Sequence, residues 1–167
     1  MEVKRMMVHD VKTCRPHDSL NAAAQIMWEH ACGSVPVVDE NSRPVGFLTD
    51  RDISMAAYTQ GGPLQALRVE NAMARKIIAC GPEDEITSAA KIMRENGVRH
   101  LPVVDAEGKL VGVLSLDDLA CESQRNLKGS TNHELAHLVA DVYGSICAAR
   151  CRRRHSPDPP LVGSCHA

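Results

Sequence analysis

The chain has 167 residues, of which 44% are hydrophobic, and it carries a formal net charge of −2. This length suits one domain or two small packed domains, and the hydrophobic content excludes disorder along the whole chain. The near-neutral charge and the 2% aromatic content provide neither a bulk attraction to nucleic acid nor a base-stacking surface, so no nucleic-acid partner is expected.

The ends and the cysteines of the sequence bear on the compartment. The first five residues have no apolar signal core, and no apolar run approaches the roughly 18 residues that a membrane span needs. The seven cysteines are an odd number and include no Cys-x-x-Cys spacing, so they do not suggest a disulfide framework. We therefore expect a cytoplasmic protein without a membrane partner.

An internal repeat organises the chain. Residues 7–53 align with residues 73–119 at a constant offset of 66 positions, and 17 of the 47 aligned positions are identical. The repeat predicts a first unit over residues 1–60, a linker over 61–66 that contains Gly61-Gly62-Pro63, and a second unit over 67–125.

The two repeats predict the same elements in the same order. An extended segment ends at a proline, and Asp18 or Asp84 follows as the predicted N-cap of a helix with an apolar stripe. A β-hairpin comes next, and a short helix begins near Asp50 or Leu116. The extended segments are predicted at residues 11–14 and 77–80, and the hairpin strands at 35–38, 45–48, 101–104 and 111–114.

The two hairpins carry one motif. The first copy reads Val35-Pro36-Val37-Val38-Asp39, a five-residue gap, and Val45-Gly46-Phe47-Leu48-Thr49-Asp50-Arg51-Asp52. The second copy reads Leu101-Pro102-Val103-Val104-Asp105, the same gap, and Val111-Gly112-Val113-Leu114-Ser115-Leu116-Asp117-Asp118. This duplicated pattern resembles the cystathionine-beta-synthase (CBS) domain over residues 3–122. The resemblance implies an α/β fold of two pseudo-symmetric β-α-β-β-α repeats, each with a three-stranded sheet. It also implies clefts that bind AMP, ADP, ATP or S-adenosylmethionine, and a disc-like homodimer.

The motif suggests how such a ligand could be held. Thr49 and Ser115 stand at helix starts, where free backbone N–H groups and the helix dipole favour a phosphate. Asp52 and Asp118, three residues later, suit the hydroxyls of a ribose. The other predicted ligand contacts are Gly46 and Gly112 by close approach, Val35, Pro36, Leu101 and Pro102 as adenine walls, the backbone around Cys14 and Cys80, and Arg51, Arg99 and His100 near phosphate. The same residues also suit plain helix caps and turns, so a purely structural role stays open at this point.

A further helix is predicted over residues 130–155, followed by a tail over 156–167. Leu135, Leu138, Val139, Val142, Ile146 and Ala149 form its apolar stripe. On the opposite side, His133, His137, Cys147, Cys151 and His155 form a ridge with zinc-compatible i, i+4 spacings. The string His133-Glu134-Leu135-Ala136-His137 matches the H-E-x-x-H zinc-peptidase pattern, but no third ligand or substrate cleft accompanies it.

Two functional hypotheses follow. The first is a stand-alone sensor of an adenine nucleotide or another adenosyl ligand, acting on an unknown protein target. The alternative is a metal- or redox-responsive interaction protein that uses the His/Cys ridge. We expect no catalytic cofactor and no enzyme, because no phosphate-binding glycine loop, nucleophile elbow or triad pattern occurs in the chain.

Overall fold

The computed structural model describes residues 1–127 and 134–154. Its helices are α1 (Leu20–Glu29), α2 (Asp50–Gln60), α3 (Ile86–Asn96), α4 (Leu116–Leu127) and α5 (Glu134–Arg154), and its strands are β1 (Ser34–Val38), β2 (Pro44–Thr49), β3 (His100–Val104) and β4 (Leu110–Ser115). The predicted duplication of helix, hairpin and helix is confirmed. None of the helices in the described ranges is both long and apolar enough to cross a membrane.

Each hairpin is an antiparallel pair whose turn is closed by the aspartate of the motif. In the first hairpin, Asp39 Oδ1 accepts hydrogen bonds from the backbone N–H groups of Asn41 at 2.9 Å and Arg43 at 2.8 Å. Asp105 makes the equivalent pair of bonds in the second hairpin. An aspartate that bonds to the backbone two and four residues later stabilises a tight turn, which gives these two residues a structural role.

In the described residues, the two-stranded sheets are extended by isolated β-bridges rather than by a full third strand. Cys14 forms a parallel bridge to Val37, and Ala74 forms an antiparallel bridge to Phe47 on the other edge of the same hairpin. Cys80 and Val8 bridge the second hairpin in the corresponding way. The third strand that the family resemblance implies is therefore reduced to isolated bridges.

The predicted N-caps are wrong by one residue. Helix α1 is capped by Ser19, whose side chain accepts a hydrogen bond from the Ala22 N–H at 3.1 Å. The Asp18 carboxylate instead accepts from the Arg15 N–H at 2.7 Å. Asp84 likewise accepts from the Gly81 N–H at 2.7 Å, and Glu85 occupies the N-cap position of α3. The two aspartates close the turn before the helix rather than capping the helix itself.

The two repeats exchange their first segments. A short 3-10 helix at Val3–Arg5 lies against the second repeat, where the Val3 N–H donates to the Asp84 carbonyl at 2.9 Å. The corresponding 3-10 helix at Val69–Asn71 lies against the first repeat, where the Val69 N–H donates to the Asp18 carbonyl at 3.0 Å. Each hydrophobic core is consequently completed by residues from the other repeat, namely Val3 and Met7 in the second core and Leu67, Val69 and Met73 in the first.

Helix α5 covers only one of the two repeats. It packs against α3 and α4, with Val142 and Ile146 buried in the second core. Gly144 does not interrupt the helix. The corresponding face of α1 and α2 lacks such a cover in the described ranges, and there Trp28, the counterpart of Arg94, is 88% exposed.

Candidate functional site

Two cavities of about 480 Å³ each open between the repeats. This volume lies within the range of small-molecule sites in proteins. We name them the Thr49 cavity and the Ser115 cavity after the helix-start residue that lines each one. They are related by the 66-residue repeat, since most lining positions of one are the counterparts of lining positions of the other.

Each cavity combines the helix start of one repeat with the extended segment of the other. The Thr49 cavity pairs Thr49 and Asp52 with residues 76–78 and with Arg99 and Pro102. The Ser115 cavity pairs Ser115 and Asp118 with residues 10–12 and with Pro36. Thr49 and Pro36 belong to the same repeat of the sequence, whereas the structure places these two residues in different cavities. The exchange of first segments explains this crossing, because it brings the extended segment of each repeat beside the hairpin of the other.

A stacked pair of rings separates the two cavities. Phe47 of β2 and His100 of β3 have ring centroids 5.6 Å apart and an angle of 21° between their planes. Both residues line both cavities. His100 was predicted near the ligand, but Phe47 was not, although its position between the buried Gly46 and Leu48 indicates that its side chain leaves the core face.

The predicted hydroxyl–carboxylate pairs form capping boxes. Asp52 Oδ2 accepts hydrogen bonds from Thr49 Oγ1 at 2.7 Å and from the Thr49 N–H at 2.9 Å, and Thr49 Oγ1 accepts from the Asp52 N–H at 3.2 Å. Ser115 and Asp118 form the same three bonds at 2.5, 2.9 and 3.0 Å. Each hydroxyl proton is thus donated to a carboxylate within the protein. In this arrangement, neither hydroxyl has a proton left for the hydrogen bond to a phosphate that the sequence had suggested.

The start of α2 also offers fewer free donors than predicted. The Asp50 N–H donates to the Gly33 carbonyl at 3.0 Å, and the Arg51 N–H donates to Asp50 Oδ1 at 2.6 Å. Together with the capped Asp52 N–H, these bonds use the first backbone donors of the helix. Attraction of a phosphate to this cavity must therefore come mainly from side-chain cations.

One oxygen of each capping carboxylate remains for a ligand. Both bonds of each box that involve the carboxylate use Oδ2, and Oδ1 of Asp52 and of Asp118 accepts no hydrogen bond from the described residues. Asp52 and Asp118 both line their cavities. The predicted contact with ribose hydroxyls is compatible with this arrangement, because it needs only a second carboxylate oxygen.

The two cavities differ in charge. The Thr49 cavity has three cationic side chains (Arg51, Lys76 and Arg99) and three carboxylates (Asp50, Asp52 and Asp117). The Ser115 cavity has one cationic side chain (Lys12) and three carboxylates (Asp10, Asp117 and Asp118). That lysine also lies 3.1 Å from the carboxylate of Asp10. The Thr49 cavity is therefore the better place for an anionic group.

The surroundings of His100 favour its neutral form over its charged form. Burial lowers the pKa of the imidazole below its usual 6.5, and the nearby charge of Arg99 lowers it further. Asp117 and Asp118 act in the opposite direction and raise it, but burial is the largest effect. Lys76 was not identified as a site residue from the sequence, because it joins the Thr49 cavity only when the repeats cross, whereas Asp50 lies there as the neighbour of Thr49.

Six predicted contact residues do not line either cavity. Val35 and Leu101 are buried in the cores, as are the side chains of Cys14 and Cys80. The backbone of Cys14 is also used within the fold, since its N–H donates to Pro36 at 3.1 Å and its carbonyl accepts from Val38 at 3.0 Å. Cys80 makes the same two bonds with Pro102 and Val104. Residues 11–12 and 77–78 line the cavities in their place.

Gly46 and Gly112 serve protein packing instead of ligand contact. A Cβ at Gly112 would lie 2.9 Å from the Val8 carbonyl oxygen and 2.7 Å from the Met7 sulfur. A Cβ at Gly46 would overlap the Met73 sulfur. The close approach that the glycines predicted is real, but the approaching group is the exchanged segment of the other repeat.

The predicted His/Cys ridge lies partly outside the described residues. His133 and His155 fall outside them, and the side chain of Cys151 is not described. On the described part of α5, His137 is exposed and Cys147 is half-buried. Among the described residues, no group of three or more His, Cys, Asp or Glu side chains could hold a metal ion. Zinc binding by the ridge stays a prediction.

The comparisons with known proteins agree with this architecture. The family model described as CBS domain matches residues 3–58 and 69–124. The CBS domain-containing protein YhcV of Bacillus subtilis is 33% identical over 136 residues, which cover 81% of this chain and 95% of that protein. For other relatives, the match covers only part of their length. The uncharacterized protein MK0525 of Methanopyrus kandleri is 34% identical over 66% of this chain and 56% of its own length. The homoserine O-acetyltransferase of Methanococcoides burtonii is 36% identical over 70% of this chain and 23% of its own length.

Solved structures share the fold. The CBS domain pair of protein MJ0100, in complex with 5′-methylthioadenosine and S-adenosyl-L-methionine, has a TM-score of 0.69 and 25% identity, with 75% of this chain and 98% of that chain covered. Hypoxic Response Protein I with two coordinated zinc ions has a TM-score of 0.66 and 30% identity, with 72% and 98% covered.

Proposed function

Because the chain belongs to the CBS-domain family, we propose that it is a regulatory protein that binds an adenine nucleotide in the Thr49 cavity between its two repeats. The observation that carries the proposal is the convergence of Arg51, Lys76 and Arg99 on a cavity of nucleotide size. Three cations facing one cavity attract a phosphate group, and arginine in particular matches the geometry of phosphate oxygens.

The remaining lining suits the other parts of a nucleotide. Asp52 Oδ1 is available to accept hydrogen bonds from ribose hydroxyls. Ile77, Ile78 and Pro102 offer apolar contacts for an adenine ring. In this arrangement the adenine lies against the extended segment of the second repeat, and the phosphates extend toward the cations. AMP, ADP and ATP share these features, and the cavity distinguishes them only by the number of phosphates that the cations accept.

The Ser115 cavity suits a different adenosyl ligand. Its three carboxylates outnumber its single lysine and repel a polyphosphate. The same charge favours an uncharged nucleoside or the sulfonium of S-adenosylmethionine. The CBS domain pair of protein MJ0100 is described in complex with S-adenosyl-L-methionine, which supports a ligand of this class in the Ser115 cavity.

The proposed role is regulation and not catalysis. Ligand binding would favour one arrangement of the two repeats, and a protein target as yet unknown would respond to that arrangement. Relatives with enzyme names match this chain over only about a quarter of their length, as the homoserine O-acetyltransferase does at 23%. A reducing cytoplasm is the proposed compartment, in keeping with the free thiols of Cys14, Cys32, Cys80, Cys121 and Cys147.

We further propose a homodimer that forms through the face of α1 and α2. In the second repeat the corresponding face packs against α5, where Arg94 bonds to Asp141, whereas Trp28, the counterpart of Arg94, is 88% exposed on the first repeat. A second copy placed on this face would cover Trp28. Sedimentation equilibrium is expected to give a dimer for the wild type and a monomer for Trp28→Lys. A wild-type monomer at all concentrations would contradict the dimer without affecting ligand binding.

Isothermal titration calorimetry with AMP, ADP, ATP, S-adenosylmethionine and adenosine tests the ligand proposal. AMP is expected to bind the wild type, and Lys76→Gln is expected to weaken this binding roughly tenfold to a hundredfold, the effect of losing one charge-assisted hydrogen bond. Lys12→Gln, which neutralises the lysine of the other cavity, is the matched control and should leave AMP binding unchanged.

A second pair of variants assigns the cavities. Asp52→Asn and Asp118→Asn keep an oxygen that can accept the capping hydrogen bonds but remove a carboxylate charge from one cavity each. AMP binding should respond to Asp52→Asn only. Absence of saturable binding by any of the five compounds at millimolar concentration would reject the proposed function, and equal responses to the two variants would reject the choice of the Thr49 cavity.

A further inference from the structure

Helix α5 contacts Arg99, a residue that lines the Thr49 cavity. The guanidinium carbon of Arg99 lies 5.0 Å from the centre of the Tyr143 ring and stacks over it. Arg99 lines the cavity, whereas Tyr143 belongs to a helix that starts after both matched CBS domains. The contact therefore joins a ligand cavity of the repeats to a segment outside them.

The charge of Arg99 is not neutralised by a neighbouring carboxylate. Within the described part of the chain its side chain forms no ion pair, and its Nε is buried without a hydrogen-bond partner. A guanidinium that stacks on an aromatic face keeps the hydrogen-bond donors along its edge available. Arg99 thus brings a positive charge to the cavity that it lines, and its guanidinium contacts the Tyr143 ring.

The two ends of the contact are fixed independently. The Arg99 carbonyl accepts a hydrogen bond from the Leu116 N–H at 2.8 Å, which ties the backbone of Arg99 to the start of α4. Tyr143 is itself 49% exposed, and its backbone is held by the adjacent Val142, which is 1% exposed in the second core. An arginine side chain that stays mobile loses rotamer freedom when it binds a ligand, and contact with a ring removes part of that cost beforehand.

The first repeat has no counterpart of this arrangement. The position equivalent to Arg99 is Gly33, and it lacks a side chain that could reach a ligand. Among the described residues, this contact is therefore found at the cavity that carries three cations.

We propose that Tyr143 is a positioning residue that holds Arg99 ready for a phosphate group in the Thr49 cavity, so that α5 is part of the ligand site. This inference rests on the proposed function for the identity of the ligand, but the stacking and its effect on anion binding do not depend on adenine. By thermodynamic linkage, a phosphate ligand must strengthen the docking of α5 by the same factor by which the Tyr143 ring strengthens phosphate binding.

Affinities of AMP, adenosine and inorganic pyrophosphate for the full chain test the inference. Tyr143→Leu is expected to weaken AMP and pyrophosphate by roughly fivefold to tenfold, which corresponds to the loss of one partly buried cation–π contact. Adenosine, which has no phosphate, should bind the variant and the wild type equally. Tyr143→Phe keeps the ring and should restore AMP binding to within about twofold of the wild type.

A control variant tests whether AMP affinity responds to any change at the contact between α3 and α5. Asp141 accepts a hydrogen bond from Arg94 at 2.7 Å across the α3–α5 contact and does not line the Thr49 cavity. Asp141→Asn should leave AMP affinity unchanged, because an exposed ion pair contributes little to stability. In the wild type, AMP should slow hydrogen exchange in α5, and this protection should be lost in Tyr143→Leu.

The outcomes distinguish this inference from the proposed function. If AMP binds equally to wild type, Tyr143→Leu and Tyr143→Phe, the positioning role is rejected and the nucleotide proposal stands. If pyrophosphate binds in a Tyr143-dependent way while adenosine and AMP do not differ from buffer, the positioning role stands and the adenosyl proposal fails. Absence of binding by both AMP and pyrophosphate to the wild type would overturn both.

Discussion

Phe47 and His100 occupy the point at which the two repeats meet, and both face both cavities. In the opposite repeat, the position equivalent to Phe47 holds Val113, and the position equivalent to His100 holds Ser34. The stack therefore breaks the symmetry of the duplicated motif at its centre. Because an imidazole can change its charge near neutral pH, pH can act on this part of the fold through His100.

The lowered pKa of His100 predicts how stability changes with pH. The unfolded chain binds a proton on this imidazole below about pH 6.5, while the folded chain resists protonation because the group is buried. The unfolded state therefore holds more protons just below pH 6.5, and stability is full above this value and falls as the pH decreases through the interval down to the folded pKa.

Chemical denaturation at a series of pH values checks this expectation. His100→Gln removes the titrating group and should make the decline in unfolding free energy between pH 7.5 and 5 shallower than in the wild type. His137→Gln, which replaces an exposed imidazole on α5, is the control and should retain the wild-type slope. A slope that is unchanged by His100→Gln would show that other groups account for the acid sensitivity.

Part of the site could be predicted from local spacing and part could not. Thr49 with Asp52 and Ser115 with Asp118 were identified because a hydroxyl and a carboxylate three residues apart at a helix start are visible in the sequence. Lys76 was missed because it faces Asp52 only after the repeats exchange segments. Cys14 was assigned to the ligand because an extended segment beside a cavity and one within a sheet look alike in sequence.

At the scale of the elements, the glycines of β2 and β4 determine how the exchanged segments fit. The Val8 N–H and carbonyl both bond to Val113, one residue after Gly112. The same pattern joins Ala74 to Phe47 after Gly46. A side chain at either glycine would prevent the neighbouring backbone from approaching closely enough to form these bonds. The glycines in the sequence predict a close approach to the strand, but the sequence does not reveal whether a ligand or another part of the backbone makes it.

Gly112→Ala is expected to destabilise the protein by about 1–3 kcal/mol, the usual effect of overpacking a close contact. The added methyl would lie 2.9 Å from the Val8 carbonyl oxygen, and a backbone atom cannot move aside as a flexible side chain can. The change is read from urea unfolding monitored by circular dichroism.

Gly144→Ala provides the opposite case within the same protein. An added Cβ at this position meets no atom within 4 Å, and the residue lies inside α5. Alanine in a helix interior is more stable than glycine by about 0.5–1 kcal/mol, so this variant should gain stability. Equal effects of the two substitutions would contradict the assigned role of Gly112.

For the whole molecule, the exchange of first segments makes the two repeats mutually dependent. The order of helix, hairpin and helix followed from the repeat and the hydrophobic periodicity, and it was predicted correctly. The exchange was not predicted, because the segments at residues 3–8 and 69–74 have the same composition pattern and would satisfy either core. Only the chain connection and the close approach at the glycines decide which core each segment joins.

The exchange also means that a ligand bound in either cavity contacts both repeats. Each cavity is lined by an extended segment from one repeat and a helix start from the other, so a bound ligand contacts both units at once. Ligand binding then acts on the relative placement of the repeats, which is the arrangement that a sensor needs. The cover of α3 and α4 by α5, together with the Tyr143–Arg99 contact, extends this dependence to the C-terminal helix.

The exchange can be tested by locating which helix is destabilised when a buried residue of an exchanged segment is truncated. Val3 and Val69 are both fully buried, and each lies in the core of the repeat to which it does not belong in sequence. Truncation to alanine removes two buried methyl groups and leaves a small cavity, so Val3→Ala and Val69→Ala should each cost about 2 kcal/mol. Hydrogen exchange followed by mass spectrometry then reports which helix loses protection.

Val3→Ala is expected to speed exchange in α3, which lies more than 80 residues away along the chain, and to leave α1 unaffected. Val69→Ala is expected to do the reverse, so the two variants serve as controls for each other. Such local effects are expected when the two cores unfold as separate units. Equal loss of hydrogen-exchange protection in both helices would instead indicate a single cooperative core. Loss confined to α1 in Val3→Ala would contradict the exchange itself, because it would place the first segment in the core of its own repeat.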